Sequence, residues 1–247
     1  MVNLNVNESE NVKVSEDGQI ASVSRSVGIP IPAGLDGARY DKLSKLDLKS
    51  YQHDFIQAWN GVLYRLRAAT DAESMYSGTP EVDHEAKYVR ANAVFNFFVA
   101  ALSTLECYCF ALYEIGVTVD DTVFHPRTTE KDKKKITPNA ARGAYNTYDN
   151  SCSLAKALDV LISSSKFVEL DDVRNYLAHQ GNPSTQYRKG FGASAGSDGQ
   201  SSTIKAHQLE YDENTLKTRL TWLTDELNTL LQATEEFVKN QGLKHSV

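Results

Sequence analysis

Three cysteines in 247 residues exclude a disulfide framework. The count is odd, and Cys107 and Cys109 sit in an apolar stretch, as small buried hydrophobes do in a reducing compartment. Two positions apart, they would point to different faces of a helix, which rules out a zinc pair between them. Positive charge is scarce as well. Lys and Arg number 26 against 32 Asp and Glu, a net charge of −6. That excludes a broad basic face for long nucleic acid, but not a small patch that handles a few phosphates. Long uninterrupted apolar runs are missing: residues 91–112 are broken by Asn92, Asn96, Ser103, Thr104 and Glu106, so they are expected to form a buried helix rather than a membrane span. The first residues, Met1 to Glu8, are polar and acidic, so a signal peptide is not expected. Phosphate-binding glycine loops, a dinucleotide fingerprint and a nucleophile elbow are absent. His53, His84, His125, His207 and His245 are scattered without ligand spacing. The expectation is a cytoplasmic protein with no metal and no cofactor.

The length fits one core domain plus a small accessory element. Residues 1–47 lack helical periodicity. Within them, 12–23 alternate apolar and polar residues around Asp17-Gly18, a β-hairpin signal, and 28–34 carry Pro30 and Pro32 and must be extended. A lone hairpin is marginal, so 117–124 and 203–211 are its candidate partners. Residues 48–247 form the helical part. Tyr51, Phe55, Ala58, Trp59, Val62, Leu63 and Leu66 make one apolar stripe, predicting a helix over 48–71. A second helix is expected over 82–115, ending at Gly116, then a long irregular connection over 117–149 and a third helix over 151–163. A fourth is expected to open at Asp171-Asp172, where the helix dipole favours carboxylates. A last helix covers 213–240, and the Gly- and Ser-rich 181–202 reads as a mobile loop.

Residues 174–179 read Arg-Asn-Tyr-Leu-Ala-His. Five positions apart, Arg174 and His179 lie about 500° around a helix, leaving them roughly 140° apart. They converge if the helix ends at His179, and Gln180-Gly181-Asn182-Pro183 is a strong stop signal. An always-charged guanidinium beside an imidazole that titrates near neutrality is suited to cleaving a phosphodiester.

The hexapeptide resembles the signature of the HEPN superfamily: Arg174, a polar residue (Asn175), then His179 after four intervening residues, with Leu-Ala before it. A long apolar helix carrying an acidic residue precedes it, and the resemblance extends over residues 48–245. It implies a mainly α fold, a HEPN-like bundle of four to five helices, here with a small N-terminal β-element. It further implies a metal-independent endoribonuclease, a homodimer with a composite site, and a toxin–antitoxin or antiviral-defence role. RNA would be the substrate, an antitoxin or defence-system component a partner, and no membrane is involved. The alternative is a non-catalytic HEPN-like module that binds nucleotide, RNA or a protein partner.

RNA cleaves when its 2′-oxygen attacks the adjacent phosphorus, so the enzyme supplies a base, a positive donor for the phosphorane and an acid for the leaving oxygen. In that scheme His179 is the base or acid, Arg174 clamps phosphate oxygens, and Asn175 orients His179 or binds substrate. One histidine does not serve as both base and acid in one step; two copies across a dimer axis do. Glu106, inside an apolar stretch, needs a partner, and Arg174 on a neighbouring helix is the expected one. Tyr176 is a supporting residue that stacks on a base or packs inside, and Tyr145 and Tyr148 are further stacking candidates. Lys133, Lys134, Lys135, Arg188 and Lys189 are candidate RNA contacts, although a charge run is also an ordinary solvated loop. Asn96 is either cleft-lining or a surface residue.

Overall fold

Apolar side chains spaced three and four residues apart build the long helices, and polar caps set where each begins. The computed structural model describes residues 29–80, 83–179 and 213–245. It contains α1 (Gly37–Leu43), α2 (Gln52–Gly78), α3 (His84–Val119), α4 (Glu130–Lys133), α5 (Pro138–Asp149), α6 (Ser153–Ser163), α7 (Ser165–His179) and α8 (Glu213–Asn240). The protein is mainly α. Among the described residues there is no β-strand, only an isolated antiparallel bridge between Leu46 and His245. The hairpin at 12–23 and its candidate partner at 203–211 lie outside the described residues. The other candidate partner, 117–124, is not a strand: α3 continues through Val119, and a turn follows.

Helices α2 and α3 form a long antiparallel hairpin, and α3 is the central element, touching α2, α5, α7 and α8. Helix α3 is long and apolar enough to cross a bilayer, yet 61% of its most apolar window is buried inside the bundle, as in the core helix of a globular fold. Trp59 joins the helices: its ring packs on Tyr40 and Phe55 and against Tyr108 of α3. The Tyr40 hydroxyl donates to the Trp59 carbonyl. The Tyr108 hydroxyl meets Thr234 Oγ1 of α8 at 2.9 Å, so these buried phenols are satisfied rather than orphaned.

Several boundaries differ from the sequence expectations, each for a local reason. Helix α2 runs seven residues past 71 to Gly78, ending where Thr79 turns extended before Pro80. Helix α3 passes straight through Gly116. It ends at Asp120, whose carboxylate accepts from the Thr122 and Val123 amides. Gly116 is there for packing: a Cβ on it would lie 2.3 Å from the Phe124 ring. The span 117–149 is not irregular, since it holds α4 and α5; Thr137 Oγ1 caps α5 by accepting from Ala140 N at 3.2 Å, with Pro138 in the first turn. Helix α1 is capped by Asp36, which accepts from Arg39 N at 3.0 Å. With α1, α4 and α5 the count is eight helices among the described residues, in place of four to five. Helix α7 begins at Ser165 instead of 171, because Ser164 Oγ accepts from Phe167 N and sets its first turn.

Candidate functional site

That earlier start changes where the motif sits. Residues 174–179 close α7 rather than open it, and His179 is its last residue. The His179 side chain lies outside the described residues, as do Arg188 and Lys189. Arg174 Nη2 donates to Glu106 Oε1 at 3.0 Å, joining α7 to α3, and stands 3.6 Å from Asp171 one turn earlier. Asn175 is exposed, and its Nδ2 donates to the same Asp171 carboxylate at 3.1 Å. Sequence reasoning placed Asp171 at a helix start. Its real work, three and four residues before Arg174 and Asn175, needed the correct start of α7. Arg174 and Glu106 are 31% and 41% exposed at their side chains, so solvent screens the pair to roughly 0.2–1 kcal/mol. The pair therefore fixes the guanidinium in place more than it stabilises the fold. Tyr176 is half-buried against the core, and that burial raises its phenol above the usual range.

Arg174 forms part of a cleft of about 700 Å³, within the size range of small-molecule sites. Its floor on α3 is Leu102, Glu106, Cys107 and Phe110; Asp54 and Ala58 of α2 make one side, and Phe167, Asp171 and Arg174 of α7 another. The segment through α4 to the start of α5 closes it with Glu130, Lys133, Lys134 and Ile136. The basic run thus divides. Lys133 Nζ bonds Asp54 Oδ1 at 2.9 Å and Glu130 at 3.3 Å, and the Asp54 hydrogen bond raises its pKa. Lys134 is exposed along the cleft and makes no ion pair among the described residues. Lys135 pairs with Asp132 at 2.7 Å and does not line the cleft. The cleft wall carries four carboxylates (Asp54, Glu106, Glu130, Asp171) against three cations (Lys133, Lys134, Arg174).

Glu114, on the same helix as Glu106, was missed from sequence because the groups that act on it, Asp54 and Lys133, lie far away along the chain. It is 2% exposed. Burial, then the nearby Asp54 carboxylate, push its pKa up to about 7, against the opposing pull of Lys133. Because the folded pKa is higher than the unfolded one, folding favours the protonated form. The resulting stability is fully present below about pH 4.5 and is lost as pH rises through about 7. At roughly 1.4 kcal/mol for each pH unit of displacement, the change is on the order of 3 kcal/mol. Glu114→Gln should flatten this dependence, so thermal melts at pH 5 and pH 8 should show the variant gaining on wild type at the higher pH. Parallel melting curves at both pH values would contradict the assignment.

Comparison with protein-family models, curated proteins and solved structures found no match for this chain.

The remaining sequence candidates fall away from the cleft. Tyr145 is fully buried, and its hydroxyl donates to the Leu112 carbonyl at 2.7 Å, so it packs the core and does not stack on bases. Tyr148 is half-buried, with its hydroxyl on Gln241 Oε1 at 2.9 Å. Asn96 is exposed and does not line the cleft. Cys109 is buried, Cys107 lines the cleft with its thiol pushed up by burial, and Cys152 caps α6 by accepting from Ala155 N. His53, His84, His125 and His245 are exposed, and His207 lies outside the described residues. Among the described residues no group of His, Cys, Asp and Glu has the arrangement to hold a metal ion.

Proposed function

We propose that this chain is a HEPN-type, metal-independent endoribonuclease that acts as a homodimer, in a cytoplasmic toxin or antiviral-defence role. The observation that carries the reading is Arg174: its guanidinium is fixed by Glu106 from a second helix, stays about a third exposed, and faces an open cleft. A fixed, solvent-reachable guanidinium is pre-organised to stabilise charge that grows on a phosphorane. Asn175, tied to Arg174 through Asp171, adds a neutral donor beside it. His179 serves as base for the 2′-hydroxyl or acid for the 5′-oxygen. In this reading the α7 ends of two copies meet, and Arg174 of one copy works with His179 of a second. Two copies also supply the second histidine that a base and an acid require.

The test is RNA cleavage in excess EDTA by wild type and His179→Ala, with end-group analysis of the fragments. Cleavage by wild type alone, leaving 2′,3′-cyclic phosphate ends, is the expected result. A chelator-sensitive activity that survives the substitution would sink the reading.

A second reading is a non-catalytic module that binds nucleotide, RNA or a protein partner through the same cleft. The charge balance favours it, because Arg174 and Lys133 each already lean on two carboxylates. A phosphate entering the cleft has to compete with these carboxylates for both cations. Tight RNA binding by wild type with no cleavage of any RNA tested would select this reading.

A further inference from the structure

Two cations of the cleft are paired with carboxylates, and very different pieces of backbone carry them. Arg174 rides on α7, a helix of 15 residues whose Leu170, Val173 and Leu177 are buried in the core. Lys133 rides on α4, which is four residues long and buries none of them. Every residue from 128 to 135 is exposed or half-buried. The core takes hold of the chain on either side of this segment: Phe124 is fully buried before it, and Ile136 and Pro138 are buried after it.

Helix α4 keeps its shape because its bonds turn inward. The Thr129 hydroxyl donates to Asp132 Oδ2 at 2.7 Å, Asp132 N donates to Thr129 Oγ1 at 3.2 Å, and Lys135 Nζ donates to Asp132 Oδ1 at 2.7 Å. Glu130 pairs with Lys133 one turn on. Among the described residues, a single hydrogen-bonded ion pair ties 128–135 to an element beyond its chain neighbours. It is Lys133 Nζ to Asp54 Oδ1 of α2, at 2.9 Å. The two side chains are 21% and 26% exposed, so water reaches the tie and weakens it. Lys133, Asp54 and Arg174 all line the same cleft.

Resting on the ribonuclease reading, we propose that α4 is a movable clasp on the cleft and that Asp54 is its autoinhibitory counter-ion. In the empty cleft Asp54 holds Lys133. When RNA enters, α4 shifts and the Lys133 ammonium passes from the carboxylate to a phosphate oxygen, while Arg174 stays where α7 and Glu106 fix it. The exchange is purely ionic. Lysine suits it, because a point charge on a flexible stem changes partners without having to match a planar fork. Every RNA that binds must first displace Asp54, so the apparent affinity is reduced by the share of molecules whose clasp is closed.

Anisotropy titration of a fluorescent single-stranded RNA at low salt tests this, in full chains carrying His179→Ala so that the probe is not cut. Asp54→Asn should tighten binding by about two- to fivefold, the range of one partly screened ion pair. Lys133→Met should weaken it. In the Lys133→Met background Asp54→Asn should have little further effect, because the ammonium it would release is gone. An equal gain in both backgrounds, or none in either, would overturn the clasp, the first by showing that Asp54 merely repels phosphate. Limited trypsin digestion without RNA reads the movement itself. Cleavage after Lys131, Lys134 and Lys135 should be about two- to fivefold faster in Asp54→Asn, since nicking follows the population of the open form. Unchanged nicking would also overturn it. RNA cleavage in EDTA by wild type, with no coupling between Asp54 and Lys133, would overturn the clasp alone. Coupled binding in a protein whose wild type cleaves no RNA would keep the clasp and overturn the ribonuclease reading instead.

Discussion

Gly116→Ala should destabilise the protein, although the same change inside an exposed helix normally stabilises it by up to about 1 kcal/mol. A Cβ at position 116 would lie 2.3, 2.4 and 2.6 Å from three atoms of the Phe124 ring. Those are ring atoms, not the tip of a flexible chain. Phe124 is fully buried and is held by Tyr145 at 4.7 Å, Tyr113 at 5.7 Å and Tyr148 at 5.9 Å between centroids. It has nowhere to move without shifting the residue 120–124 turn that leads from α3 toward α5. Overpacking of this kind costs about 1–3 kcal/mol, sometimes more, or several degrees in Tm at roughly 2–4 °C per kcal/mol for a chain of this size. Gly143→Ala is the control. It lies in α5 with nothing within 4 Å of the added carbon, so it should raise Tm. Phe124→Leu combined with Gly116→Ala should recover part of the loss, and thermal melts of the three variants beside wild type measure all of this. Equal Tm changes at the two glycines would refute the close approach of Phe124.

Arg174→Ala and His179→Ala should each reduce RNA cleavage by about 10²–10⁴-fold, the usual weight of a positioned acid–base group or of a donor to transition-state charge. Both should leave the fold intact. Arg174 makes only a partly exposed ion pair, so its loss should cost at most about 1 kcal/mol of stability. Arg174→Lys should not rescue, because an ammonium lacks the planar fork that grips two oxygens. Glu106→Gln should fall between, lowering kcat by loosening Arg174 while barely changing Tm. Single-turnover cleavage rates together with circular dichroism melts separate these effects. A Tm drop that tracks the activity loss would instead mark Arg174 as a structural residue.

Periodicity and motif made much of this arrangement readable, and local capping and packing hid the rest. The stripes through Phe55 to Leu66 and through Leu216 to Phe237 place α2 and α8, because each buries one continuous face. The partner of Glu106 was also legible, since a carboxylate in an apolar helix requires one and Arg174 was the cation on a nearby late helix. Gly116 misled because glycine signals a helix end only when the chain needs a left-handed residue; here it makes room for a ring that arrives eight residues later. Helix α5 was hidden by its thin apolar stripe of Ala141 and Tyr145, and its sign was Thr137-Pro138, a cap followed by a first-turn proline. Three consecutive serines, 163 to 165, concealed the break between α6 and α7, so Asp171 looked like a dipole-favoured first-turn residue instead of the anchor of Arg174 and Asn175. Glu114 carried no pattern of its own. Its environment depends on Asp54 and Lys133, 60 and 19 residues away in sequence, and only the folded chain brings them together.

The most direct test of the proposed activity is dilution of wild type with an inactive variant. Wild-type and His179→Ala chains are refolded together in equal amounts and assayed on RNA in excess EDTA. If cleavage needs the His179 of both copies, only the quarter of randomly formed dimers that hold two wild-type chains is active. Activity should then fall to roughly a quarter of that of the same total amount of wild type. A mixture that keeps about half of that activity, as chains with independent sites would, would contradict a composite site that uses both histidines.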